Sequence, residues 1–174
     1  MITEEDYYEI NISTQMYSKA LDRAKNFESN NAMSICSSKG PKIAGFVAEE
    51  IIINNFGGKL IDDKKLSYDI DCHIGTIDVK TKRCRSRPLI TYDCSVTEYQ
   101  AKKQKSDYLL FCRCDYDFTK LWVLGIIETK EFLDKSTLIK KGDVDGRFVA
   151  RTNMFNLKIK DLYNFMELYY SESN

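Results

Sequence analysis

The sequence has little histidine, little proline and no net charge, and each shortage argues against a class of function. One histidine, His73, and two prolines occur among 174 residues. A serine hydrolase triad or a histidine general base is not expected, because the sequence offers His73 no partners for such a site. Lys and Arg number 26, as do Asp and Glu, so the formal net charge is zero. This balance argues against a histone-like binder of nucleic acid, which would be strongly basic.

Long apolar runs and Cys-x-x-Cys motifs are also missing. No run of about 18 apolar residues occurs, so we expect no membrane span. The first residues, Met-Ile-Thr-Glu-Glu-Asp, are acidic and unlike a signal peptide, so the expected location is the cytoplasm, or the host cell interior for a viral protein. None of the 6 cysteines forms a Cys-x-x-Cys pair. We therefore expect free thiols rather than a zinc site or disulfides.

The length and the 43% of hydrophobic residues favour one domain over 1–174. We divide it into an N-terminal helix and loop (1–40), a core (41–127) and a C-terminal extension (128–174). The periodicity predicts helices over 3–26, 43–56, 97–105 and 160–171. It predicts strands near 58–62, 65–71, 75–82, 107–114 and 119–127.

Two adjacent strand patterns carry acidic residues. In residues 75–83, Gly-Thr-Ile-Asp-Val-Lys-Thr-Lys-Arg, Asp78 and Lys80 share a strand face. If the preceding segment pairs with this one as a hairpin, Asp71 lies across from Thr76 and Asp69 across from Asp78. Facing carboxylates repel each other, and a bound divalent cation would explain their presence. A solvated strand face of mixed charge is the alternative at this stage.

The chemistry of such a face suits phosphodiester hydrolysis. Mg²⁺ takes oxygen ligands, usually one or two carboxylates with waters and substrate phosphates. A neighbouring lysine can orient the attacking water, lower its pKa or neutralise charge developing on the phosphate.

The predicted helix over 43–56 is apolar nearly all round but contains two glutamates, Glu49 and Glu50. A buried carboxylate needs a partner or a metal ion. We favour a functional role for Glu49 and a solvent-facing position for Glu50. Gly45 lies one turn before Glu49, and we expect it to let this helix approach a sheet closely.

Together these motifs resemble the PD-(D/E)XK nuclease superfamily, which has the restriction-endonuclease-like fold. Residues 45–49 resemble its helix motif, Tyr68-Asp69-Ile70 its aspartate motif, and residues 77–81 its Asp-x-Lys motif. Residues 97–102 are similar to its second helix, which often carries a glutamine. The resemblance covers residues 41–127. No proline precedes Asp69, and Asp71 competes with it for the ligand role.

The resemblance implies an α/β (α+β) fold with a mixed central β-sheet flanked by helices, and a Mg²⁺- or Mn²⁺-dependent DNA endonuclease. It implies that Asp69 and Asp78 ligate the metal together with the Val79 carbonyl. Glu49 would bind a second metal or its water, and Lys80 would position or activate the attacking water.

The basic residues after the Asp-x-Lys motif and on the second helix are the predicted contacts to DNA phosphates. With the glutamine they are Lys82, Arg83, Arg85, Arg87, Gln100, Lys102 and Lys103. We expect the aromatic stripe of the terminal helix over 160–171 to pack in the core, with a homodimer through it as the alternative. Two alternatives stay open: a resolvase of branched DNA such as Holliday junctions, and a non-catalytic DNA-binding protein that kept the fold.

Overall fold

In a computed structural model of the chain, residues 2–26, 39–61, 67–145 and 148–171 are described. The helices are α1 (Thr14–Asn26), α2 (Lys39–Phe56), α3 (Glu98–Lys103), α4 (Thr129–Lys135) and α5 (Phe165–Ser171). The first strands are β1 (Tyr8–Asn11), β2 (Lys59–Leu60), β3 (Ile70–Cys72), β4 (Gly75–Cys84), β5 (Asp93–Thr97) and β6 (Tyr108–Asp115). The later strands are β7 (Lys120–Glu128), β8 (Thr137–Ile139), β9 (Val144–Asp145), β10 (Phe148–Val149) and β11 (Met154–Lys158). Short 3₁₀ helices span Glu4–Asp6 and Ile159–Asp161.

The central element is a mixed six-stranded sheet in the order β1-β7-β6-β4-β3-β2. Strands β4 and β6 are parallel, and the crossover between them carries β5 and α3. The other pairs in this sheet are antiparallel. A three-stranded sheet, β5-β11-β8, and the β9–β10 pair complete the strands. The expected mixed α+β class, with helices flanking a mixed sheet, is thereby confirmed.

Apolar clusters lie on both faces of the six-stranded sheet. One joins α1, α2 and α5 to strand residues that include Ile77, Val79 and Leu110. The other contains Leu109 and Phe111 from the opposite face, Val96 from β5 and Phe132 from α4. This alternation along β4 and β6 follows from the two-residue period of a strand. The face of β4 that carries Asp78 and Lys80 is therefore the one turned away from α2.

The predicted helix over 3–26 is wrong in its first half. Tyr8–Asn11 forms β1, which pairs antiparallel with β7, and α1 begins only at Thr14. Ile10 is buried against the sheet, while Glu9 accepts hydrogen bonds from Lys120 and Trp122 on β7. These long-range contacts override the helical pattern, which residues 14–26 alone retain.

The other predicted elements are found with shifted ends. The helix predicted over 43–56 is α2, which ends at Phe56 as expected but begins earlier, at Lys39. The helix predicted over 97–105 is α3, and the strands over 107–114 and 119–127 are β6 and β7. Of the predicted loop and strands, residues 27–38 and 62–66 lie outside the described residues.

Within the described ranges, all the cysteines are free thiols, and Cys94, Cys112 and Cys114 are buried. Burial raises the pKa of the Cys94 thiol to about 12. No helix in the described part of the chain has the length and apolar character needed to cross a membrane.

Candidate active site

The β3–β4 hairpin forms with the predicted Asp71–Thr76 pair, but the predicted pairing of Asp69 with Asp78 is not found. Asp71 pairs with Thr76 and Ile70 with Ile77. Regular pairing stops at Ile70, yet the Asp69 N–H still donates to the Ile77 carbonyl at 2.9 Å. Further along β4, the Val79 N–H donates to the side-chain oxygen Oδ2 of Asp69 at 2.8 Å instead of to a main-chain carbonyl of β3. The Asp69 carboxylate is thus fixed against β4, beside the Asp-x-Lys segment.

On β4, Asp78 and Lys80 form an ion pair away from bulk water. Asp78 Oδ2 lies 2.7 Å from Lys80 Nζ. Asp78 is only 6% exposed, and the Lys80 side chain is 17% exposed. A solvated strand face is therefore excluded for these two residues.

The Lys80 ammonium is held in its charged form. Burial acts to lower its pKa, but the charges of Asp78, Asp69 and Glu49 together outweigh burial and raise it. A protonated lysine donates hydrogen bonds and cannot accept a proton. Of the roles considered for Lys80, this favours orienting a water or stabilising negative charge over removing a proton.

Glu49 of α2 joins the two aspartates. Burial, followed by the negative charges of Glu49 and Asp78, raises the pKa of Asp69 well above its ordinary value. The Lys80 charge and the Val79 N–H act in the opposite direction without cancelling this effect. Carboxylates from α2, from the segment before β3 and from β4 are therefore close enough for their charges to act on one another.

The structure distinguishes Asp69 from its competitor. Asp71 is exposed on the outer part of the hairpin, whereas Asp69 is partly buried and acts electrostatically on Lys80 together with Glu49 and Asp78. In a regular strand, Asp69 and Asp71 would share one face. Because regular pairing ends at Ile70, Asp69 is not held to the orientation of Asp71. The position of Asp69 favours it as the aspartate of the candidate site.

Gly45 has a different role from the one we expected. Among the described residues, a Cβ added there would have Glu49 Oε1 within 4 Å, at 3.9 Å, and no atom of a sheet within that distance. The glycine therefore does not allow a close helix–sheet approach. It leaves space beside the Glu49 carboxylate instead.

Arg23 of α1 belongs to this site and was missed in the sequence. Its Nη2 donates to Glu49 Oε2 at 2.9 Å, and its Nη1 lies 3.6 Å from Glu50 Oε1. The solvent-facing position expected for Glu50 is wrong, because Glu50 is 8% exposed and paired with Arg23. Ala20, one helical turn before Arg23, is fully buried, so this face of α1 is an inner one in the structure, and the sequence alone did not mark it as such.

The carboxylates suit a hard divalent cation by their chemistry, although they are not arranged as a preformed chelate. Among the described residues, no group of three or more His, Cys, Asp or Glu side chains is placed to hold a metal ion. Protein donors engage an oxygen of each carboxylate: Val79 N–H at Asp69, Lys80 at Asp78 and Arg23 at Glu49. Burial, followed by the negative charges of Glu49 and Asp78, raises the pKa of Asp69, and a bound cation would favour its ionised form. That charge and the oxygen donors fit Mg²⁺ or Mn²⁺.

The basic residues after the motif do not form one patch. Lys82 Nζ donates to Ser95 Oγ of β5 at 2.7 Å, although much of the Lys82 side chain is exposed. Burial of its ammonium group and then the Arg113 charge lower its pKa to about 8. Arg83 instead lies over the Tyr116 ring, at 4.7 Å from its centroid. Successive residues of β4 thus direct their charges to opposite sides of the sheet.

Two further arginines differ in their surroundings. Arg87 Nη2 donates to the Glu4 carbonyl at 2.6 Å, and its Nη1 lies 3.6 Å from Glu9 Oε2. It therefore holds the N-terminal segment to the sheet. Arg85 is exposed, just beyond the end of β4.

The predicted residues on α3 are close in sequence but engage neighbours on the helix. Thr97 Oγ1 caps α3 by accepting the Gln100 N–H, and it also donates to Gln100 Oε1 at 3.1 Å. Lys102 pairs with Glu98 at 2.8 Å, and Lys103 lies over the Tyr99 ring at 4.2 Å. Lys102 and Lys103 are exposed.

Comparisons with known proteins add nothing to this geometry. A scan of the chain against models of protein families gives no match, and a search among curated proteins gives none either.

Proposed function

We propose that this chain is a Mg²⁺- or Mn²⁺-dependent deoxyribonuclease of the PD-(D/E)XK type that cleaves DNA phosphodiester bonds as an endonuclease. The observation that carries the proposal is the buried Asp78–Lys80 pair at 2.7 Å, with Asp69 held against the Val79 N–H of the same strand at 2.8 Å and Glu49 close enough to act on both Asp69 and Lys80. Three carboxylates and a lysine, largely removed from water and drawn from separate elements, cost folding energy. Charged groups that destabilise the fold in this way are typical of functional sites, here one for a cation and a phosphate.

In this proposal Asp69 and Asp78 hold the metal ion, with the Val79 carbonyl as the further ligand that the family resemblance implies. When bound, the ion would supply Lewis-acid stabilisation of the phosphate and a more acidic water. The chain itself positions these groups through the Val79 N–H bond to Asp69 and the β3–β4 pairing. Lys80, held protonated, donates toward the attacking water or a phosphate oxygen.

The DNA contacts in this proposal are fewer than the sequence suggested. Arg85, Lys102 and Lys103 are exposed and suit phosphate binding. Lys82 is engaged by Ser95, and Gln100 by Thr97. Arg83 and Arg87 are engaged by an aromatic ring and by the N-terminal segment, so we assign them a smaller share of DNA binding.

A non-catalytic DNA-binding protein is the rival function. It is favoured by the protein donors that already engage each of the three carboxylates. Calorimetric titration with Mn²⁺ separates the two functions. Binding of Mn²⁺ that is lost in Asp78→Asn supports the nuclease, and no binding with or without DNA supports the rival.

Cleavage assays test the proposal directly. The chain is incubated with linear, circular, single-stranded and four-way-junction DNA, with Mg²⁺ or with EDTA. We expect Mg²⁺-dependent nicking of circular DNA, and loss of cleavage in Asp78→Asn with DNA binding intact or stronger. The matched control is Asp71→Asn, which changes an exposed aspartate of the same hairpin and should remain active. Cleavage that persists in Asp78→Asn removes the proposed site, and a strong preference for junctions identifies a resolvase.

A further inference from the structure

Arg23 brings a permanent positive charge from α1 into the candidate site. Its guanidinium contacts both glutamates of α2, lies 4.8 Å from the Phe46 ring centroid, and belongs to a side chain that is 18% exposed. An arginine stays protonated in proteins, so pH does not remove this charge. The family resemblance gives no reason to expect a cation here, because its motifs lie only in residues 41–127.

The formal charges of the described site residues can be balanced by one divalent ion. Within the described ranges, four carboxylates, those of Glu49, Glu50, Asp69 and Asp78, interact with the cations Arg23 and Lys80. When all four carboxylates are ionised, two negative charges remain. One divalent cation compensates them, whereas a second would leave a buried excess of positive charge.

The two cations also pair with carboxylates on different elements of the site. Arg23 contacts Glu49 and Glu50 on α2, and Lys80 contacts Asp78 on β4. Arg23 Nη2 already donates to Glu49 Oε2 at 2.9 Å, so a metal ion bound at either oxygen of Glu49 would lie close to a like charge. Among the described residues, no ion pair joins an arginine to Asp69 or Asp78.

We propose that Arg23 takes the place of a second metal ion at Glu49, so that the site binds a single divalent cation at Asp69 and Asp78. This inference rests on the proposed nuclease function and chooses between the two roles considered for Glu49. Arg23 is a positioning residue: it holds the Glu49 carboxylate on the α1 side and keeps it out of the metal's coordination shell.

The test is a calorimetric titration of metal-free protein with Mn²⁺, with and without a short DNA duplex, and it does not depend on cleavage. We expect one Mn²⁺ per chain. Glu49→Gln should lower Mn²⁺ affinity by no more than about tenfold, as for a charge that acts through space. Asp78→Asn should lower it by more than about a hundredfold, because a ligand is lost.

Variants of Arg23 test whether this residue excludes a second metal ion. Arg23→Met should admit a second Mn²⁺, and Arg23→Lys should restore a stoichiometry of one. The control is Lys25→Met, which breaks an exposed ion pair with Asp22 on the same helix and should leave binding unchanged. The wild-type stoichiometry and the Glu49→Gln affinity decide the question even if Arg23→Met does not fold.

Two results would overturn the inference and leave the nuclease proposal standing. They are two Mn²⁺ ions per wild-type chain, and a loss of affinity in Glu49→Gln as large as in Asp78→Asn. Absence of Mn²⁺ binding in every condition would overturn both proposals.

Discussion

Replacing Asp69 by asparagine should make the metal-free protein more stable while abolishing metal binding. The asparagine Oδ1 can still accept the Val79 N–H, which is 2.8 Å from the carboxylate in the structure. The substitution removes a charge that burial, Glu49 and Asp78 make unfavourable in the folded chain. Because this pKa is raised on folding, the folded chain retains a proton that the unfolded chain has already lost above about pH 4. Wild-type stability must therefore fall as pH rises from there to the raised pKa.

The slope can be calculated. A difference of one proton between the folded and unfolded states costs about 1.4 kcal/mol per pH unit. For a chain of 174 residues, 1 kcal/mol corresponds to about 2–4 °C in Tm. The wild-type Tm should thus lose up to about 3–6 °C per pH unit relative to Asp69→Asn within the titration range. Comparing the two proteins cancels the titration of the groups that they share.

The assay is thermal unfolding of both proteins in EDTA at unit steps from pH 5 to pH 8. The variant should be the more stable one, and its advantage should grow with pH until Asp69 is fully ionised. Asp71→Asn, a change at an exposed position of the same hairpin, should follow the wild type throughout. Added Mn²⁺ at a hundred times its Kd should then stabilise the wild type by about 2.7 kcal/mol and Asp69→Asn hardly at all. A Tm difference that does not change with pH, or that has the opposite sign, would refute the reasoning.

Three further predictions concern the surroundings of the site. Phe132→Ala should cost about 3–5 kcal/mol in chemical unfolding, because Phe132 is fully buried beneath the six-stranded sheet; a cost below 1 kcal/mol would contradict this packing. Glu9→Gln should cost about 1 kcal/mol at neutral pH, because Lys120 and Trp122 donate to Glu9 and lower its pKa. This difference should be lost in acid, as pH falls through the lowered pKa. The Lys82 side chain should titrate near pH 8 in NMR of its ¹³Cε, and a midpoint above 10 would show that the ammonium is not buried.

The hairpin and its charges could be predicted from the sequence because the relevant information is local. The two-residue period of β4 places Asp78 and Lys80 together, and a short turn fixes the Asp71–Thr76 pair. The burial of Asp78 could not be read from the same pattern, because it depends on layers that pack over the sheet from distant parts of the chain. The choice of Asp69 over Asp71 likewise depends on where regular pairing ends.

The N-terminal region shows what local patterns cannot supply. Arg23 reaches Glu49 across 26 positions of sequence, and Glu9 reaches Lys120 across 111. Neither pairing has a short-range signature, so one helix was expected where a strand and a shorter helix are found. The prediction that the basic residues together contact DNA phosphates has a related weakness. Their closeness in sequence hides the alternation that separates Lys82 from Arg83.

The two outermost strands of the six-stranded sheet have a consequence for self-association. In the described part of the chain, β1 has four residues and β2 has two. A second copy that added a strand at either border would gain few main-chain hydrogen bonds, and next to β1 it would meet the charge of Glu9. The sheet is therefore protected against extension by a neighbouring molecule. A dimer of this protein would need to form through side chains on its helices or outer layers, where mutation could dissociate it without disturbing the sheet.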